Sequence, residues 1–596
     1  MRVNLIGNFR PNTGLQQDAA ILRGLLTSEY GDSVQMFKVP HVFPHCSEAE
    51  MNIFIEVMNP ALVSYARKNV WIPNLEWTYR TWVPYLAMMD EIWVKTDEAF
   101  QIFSMLVEGT PTKVHLIGWT SIDKMYEEKK DYSKAIVLVG KNIFRNPKQL
   151  FRAYNEILKV DPSFYAKLPH LYVPHNPDHI RIYCPPQLES KVTLLSKELN
   201  ENEYDTLLKE CGLAICLSAC EGFGHAVNEA MSSGCNLLLS NIQPFKQLTT
   251  QIHSVVLWSE VLQTLPQTDC LGTLVDSSTV SIVNALRNYV FRVNKSKKSA
   301  SSLIRLTYER NHAEFVKRFG QIVEKVPDYT LASTLPKEDE LPDVSIITIT
   351  KNRRDFMELA KYSFLSQTYP KHKLEWVVVD DGEDCIEDTL IGVPNVKYIR
   401  TEPIATIGEK RNLAIEKAMY NTIVMMDDDD IYPENSVLFR VSMLLKQPSK
   451  QCVFSTILPS YDITKYSSFI NVPPLTLHMS ERVSEATLAF TRQFWEAKKF
   501  DSIHIAEANT FIQGREQMCR ELSPQEVIVS LVHPKNTSSR KAPEMKEPNG
   551  CHYGFNETLF RLVSEIGEKL NTASLQKDHA SCGSSCGDDD VRQQQE

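Results

Sequence analysis

Short apolar runs that recur between helix-like stretches constrain this chain more than any other feature. Before residue 330 they read VNLIG, NIFIEV, EIWVKT, KVHLIGW, AIVLVGK, LAICLSA and CNLLLSN, separated by segments such as AVNEAMSSG. After a break rich in charge and proline, LASTLPKEDELPD (331–343), the pattern restarts as VSIITIT, LEWVVVDDG, VKYIRT and TIVMMDDDD, with helical stretches such as GEKRNLAIEKAM between them. Apolar strands alternating with helices predict βαβ units and parallel sheets. A chain of 596 residues also exceeds the roughly 250–300 residues that one hydrophobic core can serve, so at least two domains are required. A weaker break at YEEKKDYS divides the first half into two strand–helix series of similar size, which predicts two lobes with a cleft.

Charge and composition exclude several classes. With 43% hydrophobic and 23% charged residues the chain has the make-up of a folded soluble protein. A net charge of −10 argues against non-specific nucleic-acid binding, and means that an anionic substrate needs local basic or metal sites. MRVNLIGNF reads as a first strand and lacks the pattern of a signal peptide. No apolar run reaches the ~18 residues of a membrane span, so a cytoplasmic protein is expected, with peripheral membrane contact left open. The thirteen scattered cysteines suit reduced thiols.

The stretch SACEGFGHAVNEAMSSGCNLLLSN (218–241) carries Glu221 and Glu229 around a strand-to-helix junction with glycines at 222 and 224. Glycine lets a ligand approach the backbone there, the helix start offers amide donors to phosphate, and a carboxylate accepts hydroxyls of a ribose or sugar. A helix cap beside an exposed glutamate is the plainer reading of the same residues. The whole string resembles the donor-binding segment of retaining, family 4-like glycosyltransferases of the GT-B fold, and the resemblance extends over residues 1–327. It implies that Glu229 binds the nucleotide ribose and that Glu221, in the Glu221–Gly222–Phe223–Gly224 loop, contacts the donor sugar as the catalytic-site carboxylate. It also implies that Lys141 and Arg145 of LVGKNIFRNPKQL neutralise the diphosphate, and that Gly14 of NFRPNTGLQQDAA lies beside the sugar phosphate. IPNLEWTYRTW (72–82) is read either as a cleft lining through Glu76 and its aromatics or as packed core. The acceptor-side histidine of many relatives has no counterpart.

In the second half, Asp380 and Asp381 of VVVDDGEDCIEDT end a strand, where an open α/β sheet places ligand groups. With VSIITITKNRRDF, GEKRNLAIEKA and VMMDDDDIYPEN, in that order, this stretch is similar to inverting family 2 glycosyltransferases of the GT-A fold over about 342–540. The resemblance implies that Thr350 and Asp381 belong to the nucleotide pocket and that Arg411 contacts base or phosphate. Four consecutive aspartates, Asp427 to Asp430, repel one another unless something positive neutralises them. If they continue an extended strand, Asp427 and Asp429 share one face and Asp428 and Asp430 the other. Carboxylate oxygens suit Mg²⁺ or Mn²⁺. The resemblance makes Asp429 the direct ligand, Asp427 its neighbour shared with the ribose or a metal-bound water, and His533 of VSLVHPKNTSSR a third ligand. No metal or other cofactor is expected in the first domain.

Inverting transfer needs a general base. Relatives carry Glu-Asp, with the aspartate as base, where this chain has Glu507–Ala508. Glu507 is the first candidate to replace it, Asp501 the weaker one, and a catalytically dead domain the third option. The expected fold class is therefore α/β: a two-lobed, Rossmann-like GT-B domain (1–327), a linker (328–342), a GT-A domain (343–570) and a disordered tail (571–596). The expected function is transfer of sugars from UDP- or GDP-sugar donors to a glycan or glycoconjugate acceptor. The competing reading is a glycan-binding or scaffold protein in which one or both domains are inactive.

Overall fold

A computed structural model covers the chain. It describes all residues except 12, 31–32, 39–46, 127–128, 141–143, 146, 178–180, 198, 296–298, 324–325, 328–334, 447, 475, 537–554 and 583–596. The chain forms two compact units, residues 1–59 with 65–330, and 60–64 with 331–596.

The first unit holds two six-stranded sheets. In the first, the strands run in the spatial order Val34–Lys38, Val3–Gly7, Ala49–Ile55, Ala66–Ile72, Glu91–Val94, Lys113–Leu116, and every pairing is parallel. In the second the order is Leu257–Ser259, Asn236–Ser240, Cys211–Cys216, Asp131–Val137, His170–Pro174, Val192–Leu195, again all parallel. That second order is the doubly wound one in which the connections reverse between Asp131–Val137 and Cys211–Cys216. Parallel sheets bury both faces, which is why Ala49–Ile55 and Cys211–Cys216 are buried at every position; in the first, the buried Glu50 and Asn52 are hydrogen-bonded to Arg2 and Asn4. Helices Lys148–Val160 and Thr279–Lys295 cover one face of the second sheet, with Leu150, Tyr154, Ile282 and Tyr289 in its core.

The second unit is built on a seven-stranded mixed sheet. Val396–Arg400, Leu374–Asp380, Val344–Thr350 and Thr422–Met425 are parallel neighbours in that order. Ala489–Thr491 pairs antiparallel with Thr422–Met425 and with Cys452–Phe454, and Cys519–Glu521 closes the far edge. A small sheet of Ser467–Asn471, Leu458–Asp462 and Ser530–Val532 lies beside it. The connections of the parallel part reverse between Val344–Thr350 and Thr422–Met425, which opens a crevice at their carboxyl ends.

Near the carboxyl terminus, helix Glu557–Cys582 docks through Leu559, Val563, Ile566 and Leu570, which repeat at helical spacing and bury against Ile463 and Leu531, and it runs on into the segment expected as a disordered tail from residue 571. The described cysteines are free thiols, most of them buried. Among the described residues no helix is long and apolar enough to cross a membrane.

Candidate active sites

In the first unit, a cavity of 730 Å³ lies at the carboxyl ends of the two strands where the second sheet reverses. Gly14, Arg145, Glu221, Phe223, Gly224 and Glu229 all line it, whereas Lys141 lies outside the described residues. Helices Gly14–Tyr30 and His225–Ser232 both begin at its wall. Gly224 takes φ of 101°, a conformation open to glycine, and a Cβ there would meet the Phe245 ring. Glu229 is buried, accepts hydrogen bonds from Gln17 Nε2 and from the Tyr204 hydroxyl (3.2 Å), and burial raises its pKa.

The sequence missed a polar cluster on the other wall of this cavity. Asp18 is wholly buried and bonded to Lys95 Nζ (2.7 Å) and His225 Nε2 (2.8 Å), and His225 Nδ1 meets Ser121 Oγ at 2.9 Å. Burial pushes the Asp18 carboxyl up, but those two partners overcome it and hold the pKa down at about 2. Arg145 grips Glu221 through two parallel bonds, Nη2 to Oε2 at 2.8 Å and Nε to Oε1. No local spacing announces these pairs, since Asp18 and Lys95 are 77 residues apart.

In the second unit the four aspartates do not continue the strand. The chain turns at Asp428 and Asp429, so the extended alternation of faces fails and the four carboxylates come to different settings. Asp427 is part-exposed and meets Arg411 Nη1 at 3.3 Å. Asp428 is buried against Arg353 Nη1 (2.9 Å). Asp429 also meets Arg353 Nη1, and lies 3.1 Å from His533 Nε2 and 3.3 Å from Asn536 Nδ2. Asp430 accepts the Leu531 N–H at 2.9 Å and thereby ties the aspartate turn to strand Ser530–Val532. Burial raises the Asp428 pKa to about 6, while the His533 hydrogen bond and Arg353 hold Asp429 below the usual carboxylate range despite its burial.

Helix Ile407–Lys417 supplies two adjacent cations to this crevice. Lys410 bonds Asp381 and lowers its pKa against the effect of burial, and Asp381 also accepts the Ile404 N–H at 3.1 Å. Arg411, fully enclosed, bridges Asp427 to Glu507, with Nε on Glu507 Oε1 at 2.8 Å. Glu507 opens helix Glu507–Ile512 after Ala506, which holds φ of 57°, and Ala508 is completely buried. Glu485 reaches the same point from another element, its Oε1 accepting the Ala508 N–H at 3.4 Å. Thr350 ends its strand in the crevice, and its carbonyl accepts from Lys410. Asp380, beside Asp381, is instead consumed by the fold: it accepts from Gly382 N (2.9 Å), Tyr398 (2.8 Å) and Arg400 (2.7 Å).

Among the described residues no group of three His, Cys, Asp or Glu side chains is gathered as a cation cage. The donor chemistry nevertheless fits Mg²⁺ or Mn²⁺. Neighbouring ligands of an octahedral ion at about 2.1 Å are about 3 Å apart, and such ions need only one or two protein carboxylates beside phosphates and water. Asp429 Oδ2 and His533 Nε2, at 3.1 Å, meet that spacing, with Arg353 Nη1 and Asn536 Nδ2 also on Asp429 Oδ2 and the Asp428 carboxyl in the same turn. Asp427 stands on the Arg411 side of the crevice.

The sequence profile of Glycosyl transferase family 2 matches residues 345–496. A putative teichuronic acid biosynthesis glycosyltransferase, TuaG of Bacillus subtilis (strain 168), is 28% identical over 142 residues, which are 22% of this chain and 54% of that protein. The chain thus spans about half the length of this curated relative. Among solved structures, Staphylococcus aureus TarS 1–349 aligns with a TM-score of 0.27 and 18% identity over 32% of this chain and 60% of that one. The mannosyltransferase PcManGT from Pyrobaculum calidifontis, in complex with GDP-Man and Mn²⁺, aligns with a TM-score of 0.27 and 18% identity over 37% and 64%. The pneumococcal O-GlcNAc transferase GtfA, in complex with UDP and GlcNAc, gives 0.35 and 13% over 46% and 56%. Residues 345–496, in the unit that carries the four aspartates, accordingly form a glycosyl transferase family 2 domain.

Proposed function

We propose that the chain is a bifunctional glycosyltransferase that draws on UDP- or GDP-sugar donors at two sites to extend a glycan or glycoconjugate. The observation that carries the reading is positional: each unit gathers its buried carboxylates and cations where the connections of a parallel sheet reverse. In the first unit, the GT-B reading gives Glu229 the ribose hydroxyls, the helix start at Gly14 the phosphates, and Glu221 the donor sugar, with Arg145 fixing the Glu221 carboxylate by its two-point grip. This site is read as retaining.

In the second unit, read as inverting and metal-dependent, Asp429 and His533, with Asp427 across the crevice, would hold the divalent ion. When bound, such an ion supplies positive charge to a departing nucleoside diphosphate. Thr350 and Asp381 take the nucleoside, Lys410 and Arg411 orient the carboxylates around it, and Glu507 is the group given the acceptor proton. Joining two transferases in one chain raises the effective concentration of a shared intermediate and suits successive additions.

Transfer by the full chain, assayed across a panel of nucleotide sugars with and without Mn²⁺, tests the assignment. Asp429→Ala is expected to abolish the Mn²⁺-dependent transfer and Glu229→Ala to impair the metal-independent one; normal transfer by both variants would refute it. Buried Ala508, in the place where relatives carry an aspartate, favours one second reading, an inactive domain that binds donors as a scaffold. Donor binding without hydrolysis or transfer under every donor would select it.

A further inference from the structure

A second feature of the first unit deepens the nucleotide-sugar reading, on which it rests. Glu76, in the short turn Leu75–Trp77, reaches across to the glycine loop, where its Oε1 accepts the Gly222 N–H at 2.7 Å. The approach requires a glycine: a Cβ at 222 would stand 2.6 Å from Glu76 Oε2 and 2.7 Å from Asn74 Oδ1. Glu76 is 5% exposed and lines the cavity, yet Oε2 is buried and has no hydrogen-bond partner among the described residues. A native buried polar atom left unsatisfied calls for an occupant.

The charges around it determine what that occupant is. Of the charged groups that line the cavity, the carboxyl groups of Asp18, Glu56, Glu76 and Glu221 and the cations Lys95 and Arg145 bear on this question. Arg145 is committed to Glu221, and Lys95 to Asp18, which His225 also contacts. Glu56 is bound to the Asn74 amide (2.7 Å), whose Oδ1 in turn accepts from Lys95. Glu76 is left with no cation of its own beside the Glu221 carboxylate. Burial first, and Glu221 second, raise its pKa to about 8, so near neutrality Oε2 carries a hydrogen. With Asp18 and Glu221 already held by Lys95 and Arg145, the described residues beside Oε2 offer a phosphate no uncommitted cation, whereas a neutral donor there suits an uncharged polyol.

We infer that Glu76 recognises the sugar of a nucleoside diphosphate sugar, donating a hydrogen bond from Oε2 to a hydroxyl oxygen of that sugar. Glu76 is thus a specificity group of the cavity, and nucleotide affinity itself rests on other residues. The readout is the factor by which a nucleotide sugar binds more tightly than its bare nucleoside diphosphate, measured calorimetrically on the full chain carrying Asp429→Ala, in EDTA. UDP, UDP-glucose, UDP-GlcNAc, GDP and GDP-mannose serve as probes, at pH 7 and pH 9. For the preferred sugar the factor is expected to fall at least fivefold from pH 7 to pH 9 with Glu76 present. Glu76→Gln, whose amide also donates, keeps the factor at both pH values and controls for titration of the nucleotide. Glu76→Ala loses it at both. A pH-independent factor with Glu76 present, or loss in Glu76→Gln equal to that in Glu76→Ala, overturns the inference alone. Failure of every probe to bind, or nucleoside diphosphate affinity unmoved by Glu229→Ala, overturns the nucleotide reading and this inference with it.

Discussion

Four chemically identical aspartates in one run end in four different settings, and the partner of each predicts what its loss does. Arg353 bonds both Asp428 and Asp429, so Arg353→Ala takes one shared cation from two buried carboxylates. The cost expected is about 3–5 kcal/mol in urea unfolding of the second unit, reduced when Mn²⁺ is added, because a divalent ion restores the missing charge. Asp430→Asn is expected to retain Mn²⁺-dependent transfer while Asp429→Asn loses it, since Asp430 ties down a strand and Asp429 lies against His533. Asp428 adds a pH signature. Its pKa is raised above the unfolded value, so its contribution to stability is full below about pH 4 and is lost as pH rises through about 6. Stability measured relative to Asp428→Asn should fall across that window and level off above it. The run was visible in the sequence as an acidic site. Its division was not, because the alternation argument presumes an extended chain and the backbone turns at Asp428.

Helix Ile407–Lys417 shows how an element converts sequence spacing into geometry. Successive helical residues point about 100° apart, so Lys410 and Arg411 reach different strand ends, one to Asp381 and one to Asp427 and Glu507. Thr406 caps it, accepting the Glu409 N–H at 3.3 Å, and Gly408 in its first turn passes directly against the carbonyl oxygen of Asp501. Gly408→Ala would drive a methyl into that oxygen and displace the start of the helix. The expected loss is about 1–3 kcal/mol in chemical denaturation, with weaker nucleotide-sugar binding to the second unit because Arg411 moves with it. GEKRNLAIEKAM is legible as a helix, and Lys410 and Arg411 as cations on it. That Arg411 is enclosed between two carboxylates from segments 16 and 96 residues away is not.

For the molecule as a whole, two units with separate cores and separate sites predict separable responses to ligand. A nucleotide sugar at a hundred times its dissociation constant stabilises the unit that binds it by about 2.7 kcal/mol. Scanning calorimetry of the full chain should then show two addressable transitions: Asp429→Ala removes the Mn²⁺-dependent shift of one, and Glu229→Ala removes the metal-independent shift of the other. Loss of both shifts in either single variant would contradict independent sites.

The sequence by itself determined the α/β class and the parallel sheets, because strands buried on both faces are mostly apolar and parallel neighbours must be joined by crossovers, here largely helical. It also determined the family 2 character of the second half, through four motifs in fixed order, and the strand ends at which chemistry gathers. The tertiary structure alone decided which charges meet. Arg145 on Glu221, Lys95 on Asp18, Arg353 on Asp428 and Asp429, and Glu76 with no cation are long-range pairings that burial makes strong and that no local spacing encodes.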